Sequence, residues 1–313
     1  MFVGHAFLAF GLATLLARRV QPEDRPSAIP GRIPLSYPVA IGLAAAAFAS
    51  LPDVDIVHAA FQVVSLPAES TAVDHFWAAA TERHRTITHS LVVALLGSGG
   101  FALWMVHRWI GWIALSALVL LATVAGGPVG GAVMLTFVIL GVVVATIAAA
   151  FDVSPRAIFG AAALGLSVHP FTDLLTGQPP EFFAPWAFMP IATRIRPFGD
   201  PTTNLLVAFG TELAVIWFGL GVGVVALGVN PRRHVHPEAA LGVVYAPMAL
   251  ILDGASVDNA VPFVATILPL GLLGLVSRER PWTITGGITV VLTGLAAITL
   301  AWLAFALVYV TGV

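Results

Sequence analysis

The sequence predicts an all-α, polytopic transmembrane helical bundle of about eight to ten helices, and three observations carry that prediction. Of the 313 residues, 58% are hydrophobic and only 10% charged, with a mean hydropathy of +0.96, far from the balance of a soluble domain. Apolar runs close to the roughly 20 residues that span a hydrocarbon core recur along the chain, separated by Pro- and charge-rich connectors. The conspicuous His and Asp residues gather at the ends of these runs rather than along them.

The runs cover residues 2–17, 36–51, 88–106, 109–126, 129–151, 157–175, 203–227, 240–253, 260–276 and 283–310. The first has no basic residue before it and Arg18 and Arg19 after it. That is the reverse of a signal peptide, so the run is expected to be a retained helix. The first, second and eighth runs are short. Gly126-Gly127-Pro128, between the fourth and fifth, reads as either a hairpin or a kink. Connectors fall at 20–34, 52–83, 176–202, 228–238 and 277–281; a membrane domain is expected over 1–200, followed by C-terminal transmembrane helices over 201–313 without an assigned role.

Connectors after odd-numbered runs hold ten arginines (18, 19, 25, 32, 108, 156, 232, 233, 278 and 280), whereas those after even-numbered runs hold four (83, 85, 194 and 196). The positive-inside rule then puts the odd connectors in the cytoplasm and the N-terminus outside. His5 opens run one, Asp53 and Asp55 close run two, His84 and His89 open run three, and His169 and Asp173 close run six. By helix parity alone all of them reach one membrane face, and the arginine bias makes it the extracytoplasmic face.

These residue types at a membrane boundary point to a metal site, because an ionisable group there needs a partner. His169 and Asp173 are four apart and share one helix face, the spacing that lets two side chains chelate one ion. A buried His bonded to a carboxylate for packing explains the pair equally well, and Pro170 between them is expected to kink the helix and free a carbonyl. His84 and His89 are five apart and share a site on an ideal helix only if the helix starts between them, with Thr86 or Thr88 as N-cap. We take His89 as a ligand and His84 as a proton shuttle or supporting group.

Arg85 reads either as a phosphate clamp or as an interfacial arginine snorkelling to headgroups. Asp53 and Asp55 repel each other unless a cation neutralises one; one of them serves as ligand and the other, Asp55, as general base. His5 joins the set by its face, and His58 is a weaker candidate. Glu212 and Asp152 read as protonated or hydrogen-bonded carboxyls, and His75, His107, His234 and His236 as solvated. Phe182, Phe183, Trp186 and Phe188 make the stretch after Asp173 aromatic and interfacial.

Several functions are excluded by composition. With no cysteine, disulfides, iron–sulfur clusters, thiolate zinc sites and cysteine nucleophiles are ruled out. All fourteen basic residues are arginine, the net charge is -2, and there is no basic block, so nucleic acid is not an expected partner.

Gly4-His5, Leu51-Pro52-Asp53-Val54-Asp55, His84-Arg85-Thr86-Ile87-Thr88-His89-Ser90, and Gly165-Leu166-Ser167-Val168-His169 through Thr176 occur in that order, with Pro185-Trp186 downstream. In this order they resemble the YdjM-like family of membrane-bound metal-dependent hydrolases, over about residues 1–200. More distantly, the pattern is similar to the all-helical zinc-dependent phospholipase C and single-strand nuclease superfamily. Pro170 and the spacing of His58 depart from the family pattern.

The resemblance implies a divalent metal, zinc foremost and one or two ions, with Asp173 the bridging candidate, Asp53 (or Asp55), His89 and His169 on one ion and His5 on another. It implies hydrolysis of an ester, a phosphoester of a lipid or lipid-linked substrate, with Asp55, His84 and Arg85 in catalytic roles and membrane lipids as partners. Two rivals remain at this point: a non-catalytic protein whose ion only ties helices together, and a transporter. A transporter predicts ionisable groups at several depths of the bilayer; here the clusters sit at helix ends on one side, which argues against it.

Overall fold

In hydrocarbon every backbone N–H and C=O must be satisfied within the chain, which leaves apolar segments like these the α-helix as their solution. The computed structural model describes residues 3–20, 36–56, 84–252, 254–276 and 282–312. His58 and His75 lie outside the described residues. Nine α-helices and no β-strand are found among the described residues. Five helical stretches are long and apolar enough to cross a membrane: Tyr37–Ile56, Arg108–Ala149, Pro155–Leu175, Pro201–Ala226 and Ile284–Thr311. The chain divides into two compact units, Met1–Leu174 with Gln178–Arg194, and Leu175–Gly177 with Ile195–Val313.

The first unit contains α1 (Gly4–Val20), α2 (Tyr37–Ala49), α3 (Leu91–Val106), α4 (Arg108–Ala149) and α5 (Pro155–Thr172). Local chemistry sets their starts. Ser90 caps α3 by accepting from the Val92 N–H at 3.1 Å, and Ser154 caps α5 from the Ala157 N–H at 3.3 Å, with Pro155 in the first turn. The third helix therefore begins at Leu91, not between His84 and His89, and neither Thr86 nor Thr88 is its cap. Both histidines precede the helix, His89 within a 3-10 turn over Ile87–His89.

The Gly126-Gly127-Pro128 ambiguity is also resolved. Gly127 has φ +70°, a left-handed conformation that Gly reaches at little cost, and Pro128 follows with no N–H to give the preceding turn. A Cβ on Gly130 would lie 2.7 Å from the Ala122 carbonyl oxygen. Residues eight apart on a straight helix are about 12 Å apart, so α4 reverses at Gly127 and its halves run side by side. Phe101 of α3 packs against Phe137 of the second half, and Leu115 of the first half fits against Gly100.

Phe48, Phe101, Phe137, Leu115, Met134, Ile158 and Leu166 are among the buried side chains of this unit's core. With α1 on α2, α2 on α5 and α3 on both α4 and α5, the N-terminal end of α1, the C-terminal ends of α2 and α5, and the approach to α3 meet at one end. At the other end lie Arg18, Arg19, Arg108 and Arg156. Gly165 sets how closely α5 lies on α2, since a Cβ there would overlap the Ala45 carbonyl oxygen and sit 2.8 Å from the Ala49 nitrogen. Close approach through small residues is the usual basis of helix contact in membranes.

The second unit contains α6 (Pro201–Ala226), α7 (Met248–Ile251), α8 (Val261–Ile267) and α9 (Ile284–Thr311). The runs at 240–253 and 260–276 are not single α-helices, because 3-10 stretches over Pro237–Tyr245 and Leu268–Val276 fill much of them. The core is aromatic, with Phe263 in ring contact with Phe209, Tyr245 and Phe305. His234, expected to be solvated, instead places Nδ1 2.8 Å from the Thr289 hydroxyl.

Gly165→Ala is expected to lower stability by about 1–3 kcal/mol, the usual cost of overpacking a tight contact. Thermal unfolding in detergent checks it, and a melting temperature equal to wild type would show that α5 can lift from α2 without strain.

Candidate metal centre

Four helix ends deliver the polar residues of the first unit to one place. His5 lies in the first turn of α1, Asp53 and Asp55 follow the last turn of α2, His84 to His89 lead into α3, and His169 and Asp173 close α5. His5, Asp55, Arg85, Thr88, His89, His169 and Asp173 are all buried, while the Asp53 side chain keeps 27% and the His84 side chain 19% of its surface exposed.

Which ring nitrogen carries the proton follows from the neighbours. His169 Nδ1 lies 2.6 Å from the Ala49 carbonyl oxygen, which can only accept, so Nδ1 holds the hydrogen and Nε2 presents its lone pair. The Thr88 hydroxyl donates to Asp55 Oδ2 at 2.9 Å, which leaves its oxygen an acceptor for His89 Nδ1 at 3.1 Å. Asp55 Oδ2 is a second acceptor for the same nitrogen, at 3.4 Å. His89 Nε2 is therefore also a bare lone pair, yet the two Nε2 atoms are 3.0 Å apart.

Carboxylate oxygens complete the group. Asp53 Oδ1 is 3.4 Å from His169 Nε2 and 3.8 Å from His89 Nε2, and Asp173 Oδ2 is 3.5 Å from each. With both imidazoles neutral these atoms are all acceptors, and either a metal ion among them or protons on the imidazoles relieves their repulsion. Ligands on a tetrahedral zinc at bond lengths of about 2.0–2.1 Å are roughly 3.3–3.4 Å from one another, close to the 3.0 and 3.5 Å separations within the trio His89, His169 and Asp173. Three carboxylates against the one guanidinium of Arg85 leave a formal charge of -2 with neutral imidazoles, which a divalent ion balances. The residues present thus fit the ion that the sequence implied.

His5 extends the group. It is 1% exposed, and neither ring nitrogen makes an aligned hydrogen bond among the described residues, although Nε2 lies 3.3 Å from Asp53 Oδ2. His5, Asp53 and His169 form one trio able to hold an ion, and His89, His169 and Asp173 form another. Asp53 has its two oxygens divided between histidines, Oδ2 beside His5 and Oδ1 beside His169.

Asp55 and Arg85 take different places from those expected. Asp55 accepts from His84 Nδ1 at 2.8 Å, the Arg85 backbone N–H at 3.2 Å and Thr88, so it orients both histidines and is poorly placed as a general base. Arg85 adopts φ +68°, rare for a residue with a side chain. Its guanidinium donates to the carbonyls of Asp173 at 3.1 Å and Gln178 at 2.8 Å, with Nε 3.3 Å from Asp173 Oδ2. Arg85 therefore neither snorkels to headgroups nor stands open as a phosphate clamp. His84, tied to Asp55 through Nδ1, sits at the exposed rim beside Asp53 and His89.

Reasoning from sequence missed the Ala49 carbonyl and the Thr88 hydroxyl, which fix the two imidazoles. Helix ends always leave carbonyls free, but no residue type marks which carbonyl a histidine will find. Gly165, one turn before His169, is the visible trace of that close approach.

Fold and centre together define a helical integral membrane protein with a buried His/Asp group able to hold a divalent metal ion. Residues 1–130 match the family model described as YdjM inner membrane protein. The match takes in His5, Asp53, Asp55, His84, Arg85 and His89 and stops short of His169 and Asp173. No curated protein and no solved structure matches the chain.

Burial opposes a charge on His89, but hydrogen bonds to Asp173 and Asp55 outweigh it and its pKa is raised. A proton therefore competes with metal for this imidazole to higher pH than usual, and metal affinity is expected to fall as pH drops through and below neutrality. Competition with a chelating dye across pH measures this, and a flat profile would exclude His89 as a ligand. By the same assay Asp55→Asn is expected to weaken binding about 10–100-fold, the usual effect of losing a group that orients a ligand.

Proposed function

We propose that this protein is a membrane-embedded, metal-dependent hydrolase that cleaves an ester, a phosphoester of a lipid or lipid-linked substrate, at the extracytoplasmic membrane face. The observation that carries the reading is the set of facing lone pairs on His89 and His169, closed by Asp53 and Asp173, with one side open through Asp53 and His84. A purely structural ion is enclosed by its ligands, whereas a catalytic one keeps a position for water or substrate. The partial exposure of Asp53 and His84 favours the second arrangement.

When bound, a divalent ion supplies a water acidic enough to ionise near neutral pH and stabilises charge developing on a phosphoryl oxygen. The chain's own residues do the rest. Asp55 holds His84 by Nδ1, which leaves Nε2 at the rim to take a proton from the attacking water and return it to the leaving group. Asp55 and Thr88 keep His89 in the tautomer that binds metal, and Ala49 does so for His169. Arg85 fixes Asp173. Zinc suits two imidazoles and two carboxylates at these separations.

The outward orientation is supported by Arg18, Arg19, Arg108 and Arg156 at the opposite end of the unit. Because the chain lacks cysteine, single substitutions report sidedness cleanly. Glu181→Cys is expected to react with an impermeant maleimide on intact cells and His107→Cys only after lysis; the opposite pattern would put the centre in the cytoplasm.

The deciding experiment is metal content by mass spectrometry of detergent-purified protein, with hydrolysis of bis(p-nitrophenyl) phosphate measured in parallel. Wild type is expected to hold stoichiometric metal, Asp173→Ala and His169→Ala to lose metal and activity together, and His84→Gln to keep metal while losing about 10²–10⁴-fold in rate, the span typical of general acid–base catalysis. Metal without hydrolysis of any phosphoester would leave a structural ion as the correct reading.

A further inference from the structure

We propose that the segment Phe183–Met189 is a lip that dips into the outer leaflet, and that its aromatic face guides a lipid substrate to the adjoining metal centre. The choice of substrate rests on the hydrolase reading, whereas the membrane-dipping surface does not.

Hydrogen bonds tie this segment to the motif that carries His84 and His89. Arg85 donates to the Gln178 carbonyl, and its own carbonyl accepts from the Glu181 N–H at 2.9 Å. The Leu91 N–H donates to the Phe182 carbonyl at 2.8 Å, and the Ser90 hydroxyl to the Ala184 carbonyl, also at 2.8 Å. Phe182, expected to be interfacial, is instead the buried root of the segment at 2% exposure. Beyond it the side chains turn outward: Trp186 is 63% and Phe188 62% exposed, with the Phe183 ring tilted against Phe188 at 5.4 Å between ring centroids.

Two large aromatic residues held this far open are costly in water and well suited to the headgroup layer, where Trp is enriched. A bilayer is favoured as the occupant by continuity. Phe171, itself half exposed, lies in the last turn of the span Pro155–Leu175 and meets the Phe182 ring at 5.2 Å. The ring contact of Phe171 with Phe182 thus roots the segment at the end of a helix long and apolar enough to cross a membrane. No ionisable side chain occurs from Phe182 to Thr193, so nothing in the segment resists insertion. The lip stands at the end of the helices where the metal centre lies, so a lipid lying along α5 would present its headgroup phosphoester at the open side.

The test uses the cysteine-free full chain in phosphatidylglycerol/phosphatidylethanolamine vesicles. Trp186→Cys and Phe188→Cys, each labelled with bimane, are expected to be quenched by a phospholipid carrying a nitroxide near its headgroup and shielded from aqueous iodide, with the label on Glu181→Cys showing the reverse. Iodide quenching without lipid quenching at 186 and 188 would overturn the proposal. In a second arm, the Trp186→Ser/Phe188→Ser variant is expected to lose about tenfold in hydrolysis of vesicle phospholipid, the factor carried by one buried apolar side chain. Its hydrolysis of bis(p-nitrophenyl) phosphate and its metal content should match wild type, and equal loss on both substrates would also overturn the lip. If the wild type hydrolyses neither substrate, the hydrolase reading fails and the label positions alone decide the lip.

Discussion

The constraint on which the rest of this structure depends is the cost of holding ionisable groups inside an apolar bundle. Isolated carboxylates and imidazoles would be strongly destabilising there. The protein meets this by giving each group a definite partner: Ala49 takes the proton side of His169, Asp55 and Thr88 take that of His89, and Arg85 offsets Asp173. Those assignments leave Nε2 of both histidines turned toward each other and toward Asp53 and Asp173. A set of acceptors so arranged is able to hold a cation, and the formal charge of -2 with neutral imidazoles would be balanced by a divalent one.

Such a centre needs backbone that is free to bend yet still close to the helices. It is therefore built where helices begin and end. Ser90 shows how closely the parts are linked, since one hydroxyl caps α3 and also fixes the segment that follows Phe182. Arg85 does the same from the other side, joining Asp173 to Gln178 through one guanidinium. The left-handed backbone at Arg85 is held by hydrogen bonds on both of its peptide groups, which explains how a strained conformation persists at this point.

The second unit solves the same problem without a site. Its buried polar groups are satisfied one by one along α9, with Thr289 meeting His234, Thr293 meeting the backbone of His234 and His236, and Thr299 meeting Trp217. Among the described residues, every trio of His and carboxylate able to hold an ion lies in the first unit. Candidate membrane spans, by contrast, occur in both units.

The helical class, the main apolar runs and the meeting of His5, Asp53, His89, His169 and Asp173 at one end were legible in the residues themselves. Hydropathy and helix parity are local properties: a run long enough to cross a bilayer must come out on the other side, and its end residues go with it. The partners of each side chain were not legible. Asp55 reads from sequence as a base and Arg85 as a clamp, but the fold places donors around the first and carbonyls around the second. The start of α3 moved from between the histidines to Leu91 because Ser90 had the better hydrogen bonds to offer. Tautomers, the division of Asp53 between two histidine sets and the reversal at Gly127 depend on distances between segments far apart in the chain, which packing alone sets.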